Sequence, residues 1–222
     1  MPIVFLSPST QDWNMYVTGS GSEEYNMNLL ADALVPYLLS NGIQYQRNRP
    51  EMTAGSSIRE ANQGEYDLYL ALHSNAAPEG RYGEERGIIA FYYPGSVGGQ
   101  RAAELIAQEL RKIYPLPNKV TTRPTTSLGE VRQPRFPSVL LEIGYHDNYS
   151  DATWLEGHEQ VESVNYAGLP SSPYHALQLK YAPRGAGGRC RHPPTDGRRG
   201  LGMDAVELRP VPRLRARARR HV

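Results

Sequence analysis

YLALHSNAAPEG, residues Tyr69 to Gly80, is the stretch whose reading decides the fold. The run "YDLYLALH" (66–73) has the apolar, aromatic-rich makeup of a buried strand, and a Ser-Asn-Ala-Ala-Pro loop stops it at once. Its last residue is His73. Open α/β sheets hold their ligands at the carboxyl ends of strands, so an imidazole delivered to a strand exit is a candidate functional group.

Working outward, "PIVFL" (2–6) reads as a second buried strand that a Ser-Pro turn ends. The next element is the clearest helix. Ser20 or Ser22 caps it, Glu23 and Glu24 stand where the helix dipole favours negative charge, and Met27, Leu30, Ala31, Leu34 and Leu38 form its apolar stripe. Pro36 is expected to bend or shorten its last turns before "SNG". Further strands are predicted at 43–47, 87–94 and 137–148, and further helices at 56–64 and 97–114, with another beginning at 151–163. Strands alternating with helices predict an α/β fold: a three-layer α/β/α arrangement, a mostly parallel central sheet, and a site at the C-terminal ends of the strands.

Composition supports one such domain plus an extension. A chain of 222 residues with 39% hydrophobic content can bury one good core, and 21 Gly with 18 Pro imply frequent turns. The net charge of +1 averages two unlike parts. Eleven of the 24 basic residues but only three of the 23 acids lie beyond residue 182, so the tail carries +8 and the body −7. An acidic body argues against binding nucleic acid through its phosphates. The single cysteine, Cys190, excludes a disulfide framework within one chain. "MPIVFLSPSTQ" lacks a basic leader, so no secretory signal is expected there, and no segment approaches eighteen apolar residues.

The chemistry-bearing residues gather at strand exits and one helix start: the "SPSTQ" loop, Glu23 and Glu24, His73, and Glu142 with His146. Glu142 interrupts the apolar run "SVLLEIGY". A buried unpaired carboxylate is expensive and demands a metal, a cation or a proton. Singly, each has an ordinary reading. His73 could be a hydrogen-bonded core histidine, Glu23 and Glu24 could serve the helix dipole, and Glu142 could pair with an arginine.

Taken in order, "VFLSPST", "GSEEYNMNLL", "YDLYLALHSNAA" and "VLLEIGYHDN" resemble the zinc-dependent N-acetylmuramoyl-L-alanine amidases that hydrolyse peptidoglycan, over about residues 2–162. The resemblance implies that Glu24, four residues before Asn28-Leu29, and His73 bind zinc, and that Glu142 is catalytic. It implies a further zinc-binding histidine in the first loop, where this chain has Thr10. His146 is the leading substitute, with Gln11, Asp12 or a second water as other options. Without a substitute the domain would bind metal weakly or not at all and serve as an inactive wall binder; another zinc amide hydrolase, such as a carboxypeptidase, is a third reading. Asn75, Arg132 and Arg135 are candidate substrate contacts. The implied partner is peptidoglycan, acted on by a monomer, with no nucleic acid or membrane involved. How a chain without a signal reaches the wall is left open by the sequence.

After "EGHEQVES" (156–163) the pattern breaks. The resemblance calls for a closing amphipathic helix, but the sequence turns Gly-, Pro- and Arg-rich, as GC-rich coding sequence does out of frame. The expected division is therefore an amidase-like domain at 1–165 and an aberrant, disordered tail at 166–222, from a frameshift near 163–167. A genuine basic arm that binds anionic polymer is the rival reading.

Overall fold

A computed structural model describes residues 1–157. The expected domain boundary, the closing helix and the tail lie outside the described residues. Six strands form a single sheet in the order β2-β1-β3-β6-β4-β5: β1 (Ile3–Pro8), β2 (Gln44–Arg47), β3 (Leu68–Asn75), β4 (Ile88–Tyr92), β5 (Val120–Pro124) and β6 (Ser138–Tyr145). Every neighbouring pair is parallel except β4 with β6. The exits of β1, β3 and β6 therefore meet on one edge of the sheet, while β4 and β5 run the other way.

The two-residue pleat sorts the strand side chains into two layers. Val4, Leu6, Leu70, Leu72, Val139, Leu141 and Ile143 face α1 (Glu23–Ser40), α3 (Val97–Leu110) and α5 (Tyr149–Glu156), packing with Met27, Leu30, Ile106, Leu110 and Leu155. Phe5, Tyr69, Ala71 and Leu140 face the smaller layer, where α2 (Ala54–Ala61) contributes Ile58 and Ala61 and the one-turn α4 (Gly129–Arg132) contributes Val131. The three-layer α/β/α architecture follows. By the same parity Ser7, His73 and Glu142 share the α2/α4 face of the sheet. His73 and Glu142 are register partners on adjacent strands.

Several elements differ from their sequence reading for identifiable reasons. Helix α1 runs through Pro36 to Ser40. Pro36 is on the solvent side, so the backbone carbonyl it deprives of a partner can be hydrated. Strand β5 was not anticipated: "VTTRP" is short and half polar, and it gains its place by pairing with β4 at the sheet edge. Among the described residues no helix is long and apolar enough to cross a membrane.

Candidate active site

The site starts at the N-terminus of α1. Ser22 caps the helix by accepting the Tyr25 N–H at 3.1 Å, and the Glu23 N–H donates to the Asn14 carbonyl. These bonds fix the first turn. Successive helical residues point about 100° apart, so only one of two adjacent glutamates can face the sheet. It is Glu23, which is 1% exposed. Glu24, the residue the motif alignment indicated, instead accepts from the Asn28 side chain of its own helix at 3.3 Å. The structure thus brings Glu23, and not Glu24, to the candidate site.

Strand β3 brings His73 against Glu23, with Nδ1 2.9 Å from Glu23 Oε1 and Nε2 2.8 Å from Glu130 Oε2. A buried imidazole thus stands between two buried carboxylates. Asn14 donates to Glu23 Oε2 at 2.7 Å, and the Gln11 amide lies 3.4 Å from Oε1. Ser7 Oγ and Tyr69 OH reach Glu130 Oε1 at 2.6 and 2.7 Å.

The electrostatics follow from that enclosure. Burial works against the His73 cation, but hydrogen bonds to Glu130 and Glu23 and their charges outweigh it, leaving the imidazole well above its ordinary pKa. Burial opposes ionisation of Glu23 and Glu130 as well; the hydrogen bond and charge of His73, with help from Asn14 for one and Ser7 and Tyr69 for the other, hold both carboxyls below the usual range. Glu142 has no such partner. Its Oε2 is buried with no hydrogen bond, and burial pushes its carboxyl up to about 7, with His73 pulling it down and Glu23 and Glu130 pushing it further up.

Beside this cluster opens a cleft of about 370 Å³, walled by Ser9, Thr10, Gln11 and Trp13 on one side and Met52 and Thr53 on the other. Thr10 therefore lines the cleft without supplying a metal ligand, while its neighbour Gln11 is the loop residue that reaches Glu23. Asp12 is exposed.

The remaining candidates sit elsewhere. His146 Nδ1 lies 3.2 and 3.1 Å from the Ser74 hydroxyl and carbonyl, and its ring stacks on Tyr16. The His73 ring is bonded instead to Glu23 and Glu130. Asn75 Oδ1 accepts the Ala76 N–H and shapes the local turn. Arg132 donates to the Thr126 carbonyl, and Arg135 to the Asn62 carbonyl while lying 3.9 Å from Glu65, so both are exposed and tied to surface chain. Glu130, which the sequence reading passed over, is the residue that the structure adds.

A family model described as N-acetylmuramoyl-L-alanine amidase, Amidase_3, matches residues 14–169. The chain belongs to this amidase family. The matched span holds Glu23, His73, Glu130 and Glu142, and it begins after the loop that contains Thr10. Among curated amidases, a germination-specific N-acetylmuramoyl-L-alanine amidase of Bacillus subtilis (strain 168) is 31% identical over 136 residues, 54% of each chain; this chain spans about half the length of that relative. Solved amidase structures share the fold. AmiC2 of Nostoc punctiforme superposes with a TM-score of 0.65 at 17% identity, covering 81% of this chain and 96% of that one. The CwlD amidase of Clostridioides difficile, solved in complex with the GerS lipoprotein, gives 0.64 at 15% identity, covering 82% and 98%.

Proposed function

We propose that this amidase hydrolyses the amide bond between the lactyl group of N-acetylmuramic acid and the L-alanine of the peptidoglycan stem peptide, with a zinc ion held by Glu23 and His73. The observation that carries the reading is the cluster at the exits of β1, β3 and β6: an imidazole fixed at both nitrogens beside the half-buried Glu142, whose enclosed Oε2 has no hydrogen-bond partner. Family membership supplies the substrate class.

The donor chemistry suits zinc in part. Among the described residues no three His, Cys, Asp or Glu side chains converge on one point. Two do: the Glu23 carboxylate and His73 Nδ1, at 2.9 Å, with the Gln11 amide next to them. Carboxylate and imidazole are ordinary zinc ligands, and a catalytic zinc site keeps a position for water or substrate. When bound, the ion supplies Lewis acidity toward the substrate carbonyl and toward water.

The chain's own residues do the rest. Glu142 accepts a proton from the attacking water and returns it to the leaving amine, a double duty that is easiest for a carboxyl whose pKa lies near the working pH. Asn14 orients Glu23 by its hydrogen bond. Trp13, Thr10 and Met52 offer the walls that would hold the muramyl and peptide parts and exclude solvent water.

One observation favours a second reading. The missing third acidic or histidine ligand is what a domain that binds the wall without cutting it would show. A digest of purified peptidoglycan, followed by the appearance of free L-alanine amino groups, separates the two. Parent protein should release them, chelation followed by added zinc should abolish and restore the release, and Glu142→Gln should slow it at least 100-fold with wall binding kept. Wall binding by the parent without amine release under any metal would leave the binder as the answer.

A further inference from the structure

We propose that Asn48 is a substrate-binding residue of the cleft: its side-chain carbonyl accepts a hydrogen bond from a secondary amide N–H that flanks the scissile bond. The inference rests on the amidase reading above and deepens it, because it says how the cleft tells an amide-bearing substrate from one of the same shape.

Asn48 follows β2, and its backbone N–H extends the ladder by donating to the Leu6 carbonyl at 3.1 Å. The side chain continues the join. Its Nδ2 donates to the Pro8 carbonyl at 3.0 Å and to Ser57 Oγ at 3.1 Å, with Ser7 Oγ further off at 3.4 Å. A carbonyl can only accept, so the bond to Pro8 fixes which end of the amide is nitrogen. Ser57 gives its own hydrogen to the Thr53 carbonyl and Ser7 gives its own to Glu130, which leaves both hydroxyls as acceptors toward Nδ2. Both hydrogens of Nδ2 are thereby used, and the amide is held in one orientation between β1 and α2.

Oδ1 is the end that this packing does not explain. Asn48 is 5% exposed and lines the cleft, and no N–H or O–H among the described residues donates to its Oδ1. Joining β1 to α2 calls for a donor; it does not call for an acceptor on the cleft wall, and a buried amide oxygen left without a donor costs free energy. The same wall carries the complementary group. Thr53 and Ala54, the cap and first residue of α2, also line the cleft. Thr53 receives the N–H groups of Ser56 and Ser57 at its Oγ1 and its carbonyl, so the Ala54 N–H is left over, as the first N–H groups of a helix are. An acceptor and a donor on one wall match the N–H and C=O of a secondary amide. Hydrogen bonds run from Asn48 through Ser7 and Glu130 to His73, so Asn48 stands apart from the groups assigned to the scissile bond. The amide it meets is the acetamido group of the sugar or the next amide along the stem peptide.

The test uses the full chain carrying Glu142→Gln, so that the ligand survives, and N-acetylmuramoyl-L-alanyl-D-isoglutamine as the probe, with affinity read from titrations followed by nuclear magnetic resonance. Two analogues each replace one N–H by an ester oxygen, in the acetamido group or between L-alanine and D-isoglutamine. One of the two should bind about threefold to tenfold more weakly than the probe, which identifies the amide. That preference should vanish in Asn48→Ala, or in the similarly sized Asn48→Leu if the alanine variant folds poorly by far-UV circular dichroism. It should persist in Asn48→Asp, which keeps an acceptor oxygen and loses the Nδ2 donors. A purely structural role would weaken probe and analogues alike in all three variants and leave the preference in place. Equal affinity for the probe and both analogues, no binding of the probe, or a preference that survives Asn48→Ala and Asn48→Leu would overturn the proposal. If the preference depends on Asn48 while the parent releases no L-alanine amino groups from peptidoglycan, the amidase reading fails and the binding role survives; release without the preference has the opposite meaning.

Discussion

His73 concentrates the difference between what a residue type suggests and what its surroundings make of it. The sequence identified it as a candidate ligand because a strand ends there, but nothing in the chain's spacing pointed to Glu130, which comes 57 residues later in the one-turn α4. Its partnership is a product of tertiary packing. The choice between Glu23 and Glu24 was hidden for another reason, since neighbouring helical residues differ only in azimuth and the cap at Ser22 sets that angle. The proposed zinc reading therefore predicts that metal content measured by mass spectrometry drops in Glu23→Gln and stays at the parent level in Glu24→Gln. A pH experiment isolates Glu142. Burial pushes its carboxyl up to about 7 in the folded protein from an ordinary value of 4.5, so the folded state holds the proton more tightly. Stability is then highest below pH 4.5 as far as this group is concerned and is lost as pH rises from 4.5 through 7, by about 3 kcal/mol at 1.36 kcal/mol per unit. Urea titrations of the metal-free protein across that window should show the decline, and Glu142→Gln, which has no proton to lose, should flatten it.

At the scale of elements, the long apolar strands β1, β3 and β6 and the striped helices α1 and α3 were legible because one period, 2 or 3.6, runs through each of them. The edge strand β5 and the one-turn α4 were not, as neither is long enough to show a period. Element ends were less legible than element cores. Helix α3 stops at Leu110, not Tyr114, and the displaced Tyr114 donates its hydroxyl to Asp151 at the start of α5. Asp151 is fully buried; it also accepts from Arg86 and from the backbone N–H groups of Gly87 and Tyr145. One carboxylate thus joins α5 to the starts or ends of three other segments. Asp151→Ala should cost about 3–5 kcal/mol, the loss expected when one partner of a buried ion pair is removed, measured by denaturant unfolding. Removing the α1 cap with Ser22→Ala should cost about 1 kcal/mol in the same assay.

For the molecule as a whole, the three-layer class could be read from alternation of elements, but the sheet order could not. Adjacent strands β3 and β6 lie more than sixty residues apart in sequence, and their pairing puts His73 beside Glu142. The layers are unequal. Leu141 joins the large cluster under α1 and α3, whereas Leu140 faces the small one under α2 and α4. Truncation to alanine should cost about 2–5 kcal/mol at either position, with Leu141→Ala at the upper end, and thermal unfolding of the pair of variants checks the order.

The antiparallel pairing of β4 with β6 sets Tyr92 beside Val139, at the start of β6 and so at the opposite edge of the sheet from the cleft. The chain turns there through Tyr93, Pro94 and Gly95, all exposed. A fluorophore, affinity handle or surface tether attached at this turn would leave the cleft facing outward and free of the label.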